Sequence, residues 1–214
     1  KGFAARLLAK QVIPLNKSLR LQTDGSMEWV ERSFRPIERL RNVEFTRDWG
    51  LPILVNPADE TMYSGGVELL DQKDNKVRYQ LTGYNRSDDF RGLRNSFLHL
   101  HQTNGWRFNN QISITNASGA TDKGYFFRPS VDIAKTFSSL RNYTLGINYA
   151  LEHNEARNKN SDSITPYSFS FDIMKFYLQS DATKQNNWIL SYYTRSDKLP
   201  IGKDLVRTDR SQNF

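Results

Sequence analysis

The sequence predicts an all-β protein: an antiparallel up-and-down transmembrane β-barrel with about ten long strands, itself part of a larger barrel. Three observations predict this class. Apolar Trp106, Phe108, Ile112 and Ile114 alternate with polar Arg107, Asn109, Gln111 and Ser113. Only a strand has that period of two, because its successive side chains point to opposite faces. The alternating runs reach roughly ten residues, enough for a tilted strand to cross a bilayer, whereas strands of soluble sandwiches are typically five or six long. Short and long connections alternate along the chain, as in barrels with short periplasmic turns and longer outer loops.

Taken in order, the predicted strands cover about 2–13, 17–32, 62–71, 76–86, 93–102, 105–116, 124–137, 141–153, 166–179 and 187–197. The second sets Leu19, Leu21, Met27 and Trp29 against Arg20, Gln22, Asp24 and Glu28. The fourth sets Val77, Tyr79 and Leu81 against Arg78, Gln80 and Thr82. The seventh sets Val131, Ile133 and Phe137 against Asp132, Ala134 and Thr136. The eighth carries Tyr143, Leu145, Ile147, Tyr149 and Leu151 on one face, and Thr144, Asn148 and Glu152 on the other. The ninth divides Phe169, Phe171 and Ile173 from Ser168, Ser170 and Asp172. The stretch from Asp204 to Asn213 holds too many charges to read as a closing strand.

Short turns rich in Asn, Asp, Gly and Lys fall at Gln72–Lys76, Gln102–Gly105, Ser138–Asn142 and Ser180–Asn187. Longer connections fall at Arg86–Leu93, Asn116–Lys123 and Asn154–Thr165. Val43 to Trp49 also alternates, but counting it as a span would break the short–long order. Residues 33–61 are therefore placed in one long outer loop, with room for a small hairpin. Its Arg35–Trp49 part is dense in Arg, acid and aromatic residues. That composition suits a salt-bridged loop, or a plug or partner-docking segment.

No apolar run approaches the roughly 18 residues of a membrane helix, and the mean hydropathy is −0.68. A barrel wall averages polar in any window, so neither fact opposes a membrane. With no cysteine among its 214 residues, the chain has no disulfide, thiolate metal site or cysteine nucleophile. Residues 1–214 read as a single β-barrel region. The chain opens Lys1-Gly2-Phe3 with no initiator Met or signal peptide. Export requires a signal, so further residues are expected upstream.

Placing Val77, Trp106, Ile147 and Trp188 toward lipid sends Arg6, Lys10, Arg20, Arg78, Arg107 and Arg195 to the interior. Asp24, Glu28, Glu68, Asp132, Glu152 and Asp172 join them, a charge-balanced lumen. The reverse orientation would cost about 2–4 kcal/mol for each Arg or Lys at the midplane. The predicted polar lining comprises Arg78, Gln80, Arg107, Asn109, Gln111, Asp132, Asn148, Glu152, Asp172 and Arg195. Lys135 and Lys175 fall on the lipid side near strand ends, where a long side chain reaches the interface. Trp106, Phe137, Tyr143, Tyr177 and Trp188 lie beside short turns and read as an aromatic girdle. The net charge of +7 then resides mainly in turns and loops, a rim suited to anionic headgroups. Basic and acidic residues interleave without a stripe, which speaks against nucleic acid.

His99 and His101 sit two apart, on the face read as interior. A metal would need a third ligand that the sequence does not display. The same histidines with Asn104 are a weak match to a barrel-wall lipid hydrolase, and no convincing Gly-flanked Ser accompanies them. No phosphate loop, His-Glu-x-x-His or Gly-x-Ser-x-Gly motif occurs. No cofactor, metal or catalytic residue is expected.

Val77–Tyr84, Trp106–Ile114 and Tyr143–Leu151, with Asn-rich turns between them, give the chain a family likeness. It resembles large outer-membrane barrels of Bacteroidota-like bacteria. The resemblance implies placement in a bacterial outer membrane, among lipids and other envelope proteins, and either transport or assembly work. The expected function is a non-enzymatic route or docking site for substrate passage. The alternatives are an assembly subunit with a blocked lumen and, more remotely, a lipid hydrolase.

Overall fold

A computed structural model of the chain describes residues 2–34, 45, 48–50, 57–138, 142–180, 187–201 and 203–213. The connections 139–141 and 181–186, and most of the Arg35–Trp49 segment, lie outside the described residues. The strands are β1 (Ala4–Pro14), β2 (Leu19–Val30), β3 (Glu60–Asp71), β4 (Lys76–Arg86), β5 (Arg91–Thr103) and β6 (Trp106–Ser118). They continue as β7 (Asp122–Phe137), β8 (Tyr143–Asn158), β9 (Phe169–Gln179), β10 (Ile189–Ile201) and β11 (Asp204–Asn213). All eleven form one antiparallel sheet in chain order. The sheet is not closed: β1 and β11 each have a single neighbour.

The eleventh strand corrects the sequence reading. Asp204, Arg207, Asp209 and Arg210 hide its alternation, yet Asp204–Asn213 pairs along β10, with a register shift at Asp197/Lys198. β11 has β10 as its single neighbour, and its side chains are mostly exposed. Short–long order also fails at one end, since β6 and β7 are joined by three residues. β2 and β3 pair directly from Leu19↔Asp71 to Val30↔Glu60, so the 31–59 connection leaves the sheet and returns to the adjacent position.

Turn chemistry explains the tight end. Asn104 and Gly105 both have positive φ (46° and 78°), as a two-residue hairpin turn of the I′ kind requires. At the β3–β4 turn the Asp71 carboxylate accepts the Lys73 and Asn75 amides at 2.7 and 2.9 Å. Asn75 in turn accepts the Gln102 amide, tying neighbouring turns together.

The sheet has two unlike faces. One row of paired residues runs Arg78, Leu98, Gln111, Ser130, Ala150, Ile173 and Arg195. This polar face carries most of the charge. On the other face Val67, Tyr79, Phe97 and Ile112 are consecutive partners on β3–β6 and are 39–47% exposed. Four large apolar side chains in one exposed row form a patch that a water-facing sheet would avoid.

The buried core lies on the polar face. Phe45, Asp48 and Trp49, from the long β2–β3 connection, have helical backbone. The alternation of Val43–Trp49 therefore does not mark a strand at these positions. Trp49 is 2% exposed and packs with Tyr84, Phe90, Ala117 and Phe126. Phe45 meets Tyr84 edge-on at 5.0 Å between ring centroids, and Trp49 lies 5.5 Å from Tyr84. Gly92 makes the approach possible, since a Cβ there would meet the Trp49 ring at 2.5 Å.

Candidate functional site: the polar face and its docked segment

The site is built where the Phe45–Trp49 segment meets β5–β8. Arg94 and Arg128 share a face because their strands pair through β6. Arg128 donates to the Asp48 carboxylate at 2.7 Å, and Arg94 donates to the Asp48 carbonyl at 2.6 Å. Arg94 also donates to Thr115 and lies 4.7 Å from the Trp49 ring centroid. Arg128 reaches Asn154 at 2.9 Å and Glu152 at 3.3 Å. Asn154 donates to Glu152 at 2.7 Å, so the Glu is held by two partners. Two cations thus face two carboxylates, with hydrogen bonds fixing each fork.

A cavity of about 350 Å³ opens beside this cluster. Ser96, Gln111, Ser113 and Ser130 line it together with Asp48, Arg94, Arg128 and Glu152. Pro129, Ala150, Leu151 and Phe171 complete the lining, so hydroxyls, an amide and compensated charge stand beside apolar groups. Elsewhere on the same face Arg78 clasps Asp24 at 2.8 and 2.9 Å. Arg107 lies 3.3 Å from Asp132 and donates to the Tyr177 hydroxyl at 2.9 Å. Arg195 pairs with Asp197 at 2.7 Å and lies 4.3 Å over the Phe171 ring.

Arg78, Gln80, Arg107, Asn109, Gln111, Asp132, Asn148, Glu152 and Arg195 all fall on this polar face. Asp172 does not. It pairs with Leu151 and Ser196, which puts it on the apolar face. Lys175 changes sides for the same reason, pairing with Asn148. Either face of β9 could pass for its apolar one: Phe169, Phe171 and Ile173 lie on one, Met174, Phe176 and Leu178 on the other. Pairing with β8 decides between them.

Trp106, Phe137 and Tyr143 lie on the apolar face at the turn end, and Trp188 sits 5.8 Å from Tyr143. Tyr177 lies on the polar face instead, across Gly146 and bonded to Asp132. Lys135 is on the apolar face as read; it donates to the Asn104 carbonyl and sits 5.3 Å from the Trp106 ring.

His99 and His101 are the other correction. Val77 pairs with His99, and His99 with Asn110, so both histidines lie on the apolar face. Their rings stack at 6.1 Å, and His99 contacts Asn110 at 3.2 Å. Among the described residues no group of three His, Asp or Glu side chains could hold a metal ion. Asp48, Arg94, Arg128 and Asn154 were not singled out by the sequence reading. The Arg-acid-aromatic density of Arg35–Trp49 was the available signal.

No family model matches the chain, and no curated protein matches it either.

Proposed function

We propose that the sheet is a wall segment of a transmembrane β-barrel in a bacterial outer membrane, with the apolar face toward lipid. Its polar face then lines a non-enzymatic route or docking site for hydrated solutes, narrowed by the Asp48–Trp49 segment. The observation that carries the reading is the division of faces. Exposed Val67, Tyr79, Phe97 and Ile112 form a continuous row, while the opposite face pairs its charges. Strands of 10 to 16 residues are long enough to span. Four aromatic rings at the turn end suit the headgroup level, and anionic headgroups suit the basic rim.

Detergent-dependent extraction of the full-length protein, with faster gel migration before boiling than after, is the expected result. Release in plain buffer without a shift would overturn the reading. A second reading, an assembly subunit with a blocked lumen, is favoured by the way Trp49 fills the polar side between β4 and β7. Planar-bilayer recording separates the two: steady ion conductance supports a route, and its absence supports the blocked subunit.

A further inference from the structure

Phe169 and Phe171 stand on the polar face of β9, half-buried, and neither belongs to the core around Trp49. Their rings are nearly parallel, with 6.2 Å between centroids and 6° between planes. The ladder sets polar groups on both sides of them. On β8, Glu152 pairs with Phe171 and Asn154 with Phe169. On β10, Asp197 pairs with Phe171. Its ion-pair partner Arg195 lies 4.3 Å from the centre of that ring, a cation–π contact that helps to hold it. Facing a hydrated lumen, the two rings leave apolar surface in water that contact with a ligand would remove.

Phe171 also lines the cavity of about 350 Å³, together with Asp48, Arg94, Arg128 and Glu152. The four charges cancel. Arg94 lies 3.8 Å from Asp48, and Arg128 lies 3.3 Å from Glu152. An ionic ligand would meet attraction and repulsion side by side, and a neutral one meets neither. Guanidinium groups only donate and carboxylates only accept, whereas a hydroxyl does both, so neighbouring hydroxyls can bridge the two. The Gln111 amide and the serine hydroxyls of the lining also donate and accept. A sugar ring meets both demands in one molecule, with a hydroxyl rim for the ion pairs and C–H faces for an aromatic plane. Aromatic walls with a few placed polar groups are the usual make-up of a ligand site.

We infer that this cavity is a subsite for a neutral oligosaccharide, with one ring packed against Phe171 and its hydroxyls on Arg128, Glu152 and Gln111. Phe169 extends the aromatic surface toward the next ring of the chain. The inference rests on the solute-route reading above and gives that route a substrate class.

The test titrates the full-length protein with maltohexaose, cellohexaose and N-acetylchitohexaose by isothermal calorimetry, in micelles of a detergent without a sugar headgroup. At least one is expected to bind, with Phe171→Ala weakening it about tenfold and Phe171→Tyr nearly restoring it. Phe176→Ala, on the opposite face of β9, should leave the affinity unchanged. Heat-modifiable migration checks that each variant is folded. If Phe171→Ala is not, Gln111→Ala at an exposed position takes its place and is expected to weaken binding. Binding of none of the three sugars, undiminished affinity in the folded variant, or equal binding of trialanine would each overturn the inference. Ion conductance is recorded separately. Binding without conductance supports the subsite and refutes the route, and conductance without binding does the reverse.

Discussion

Asp48 holds two arginines that belong to different strands, so its carboxylate does more for the polar face than a surface ion pair would. Substituting Asp48→Ala leaves Arg94 and Arg128 partly buried with less compensation, a change that costs about 1–3 kcal/mol in docking of the segment. Faster proteolytic nicking within 33–61, with the sheet itself resistant, is the expected result. Trp49→Ala removes the largest buried ring and should weaken the same docking by about 3–5 kcal/mol. The four tryptophans offer a direct measure of the faces. Trp29, Trp106 and Trp188 are 38–44% exposed, and Trp49 is 2% exposed. In proteoliposomes with brominated acyl chains, a protein retaining only Trp106 should be strongly quenched. One retaining only Trp49 should not, and equal quenching would contradict the assignment of faces. In the connection between β8 and β9, the Asp162 carboxylate is bonded by Lys123 of β7, which holds it below the usual carboxylate range. A carboxyl whose pKa is lowered by folding adds stability above its unfolded pKa and loses it as pH falls through the folded value. Lys123→Ala should therefore raise the Asp162 titration midpoint, as followed by NMR.

At the level of the element, legibility in the sequence tracked how unequal the two faces of a strand are. β4, β6 and β8 put apolar residues at nearly every second position, and the pairing reproduces their faces. β9 offers apolar residues on both faces, so alternation alone could not orient it. Its orientation comes from β8, a contact between residues 15 to 35 positions apart. β11 escaped because Asp209 and Arg210 put charge on both of its faces, which hides the alternation. The Asp48–Trp49 cluster escaped for a different reason: five strands and two connections contribute to it, and no local pattern records their meeting. Asp172 gives the element-scale test. It lies on the apolar face away from the strand ends, paired with Leu151 and Ser196, so its neutralisation removes a charge from the surface read as lipid-facing. Asp172→Asn should leave heat-modifiable migration nearly unchanged. Asp132→Asn, which strips Arg107 and Tyr177 of a shared acceptor, should lower the unfolding temperature measurably.

For the whole molecule, the direct pairing of β2 with β3 separates two things that a chain usually ties together. The ladder from Leu19↔Asp71 to Val30↔Glu60 is complete without any residue of the 31–59 connection. Lengthening that connection, trimming it or exchanging it leaves each backbone bond of the sheet in place. Replacing residues 33–58 by a short Gly-Ser linker should yield a protein that still migrates as a folded sheet, with altered passage of solutes. Variation can therefore rewrite what occupies the polar side while the scaffold that carries it is inherited unaltered.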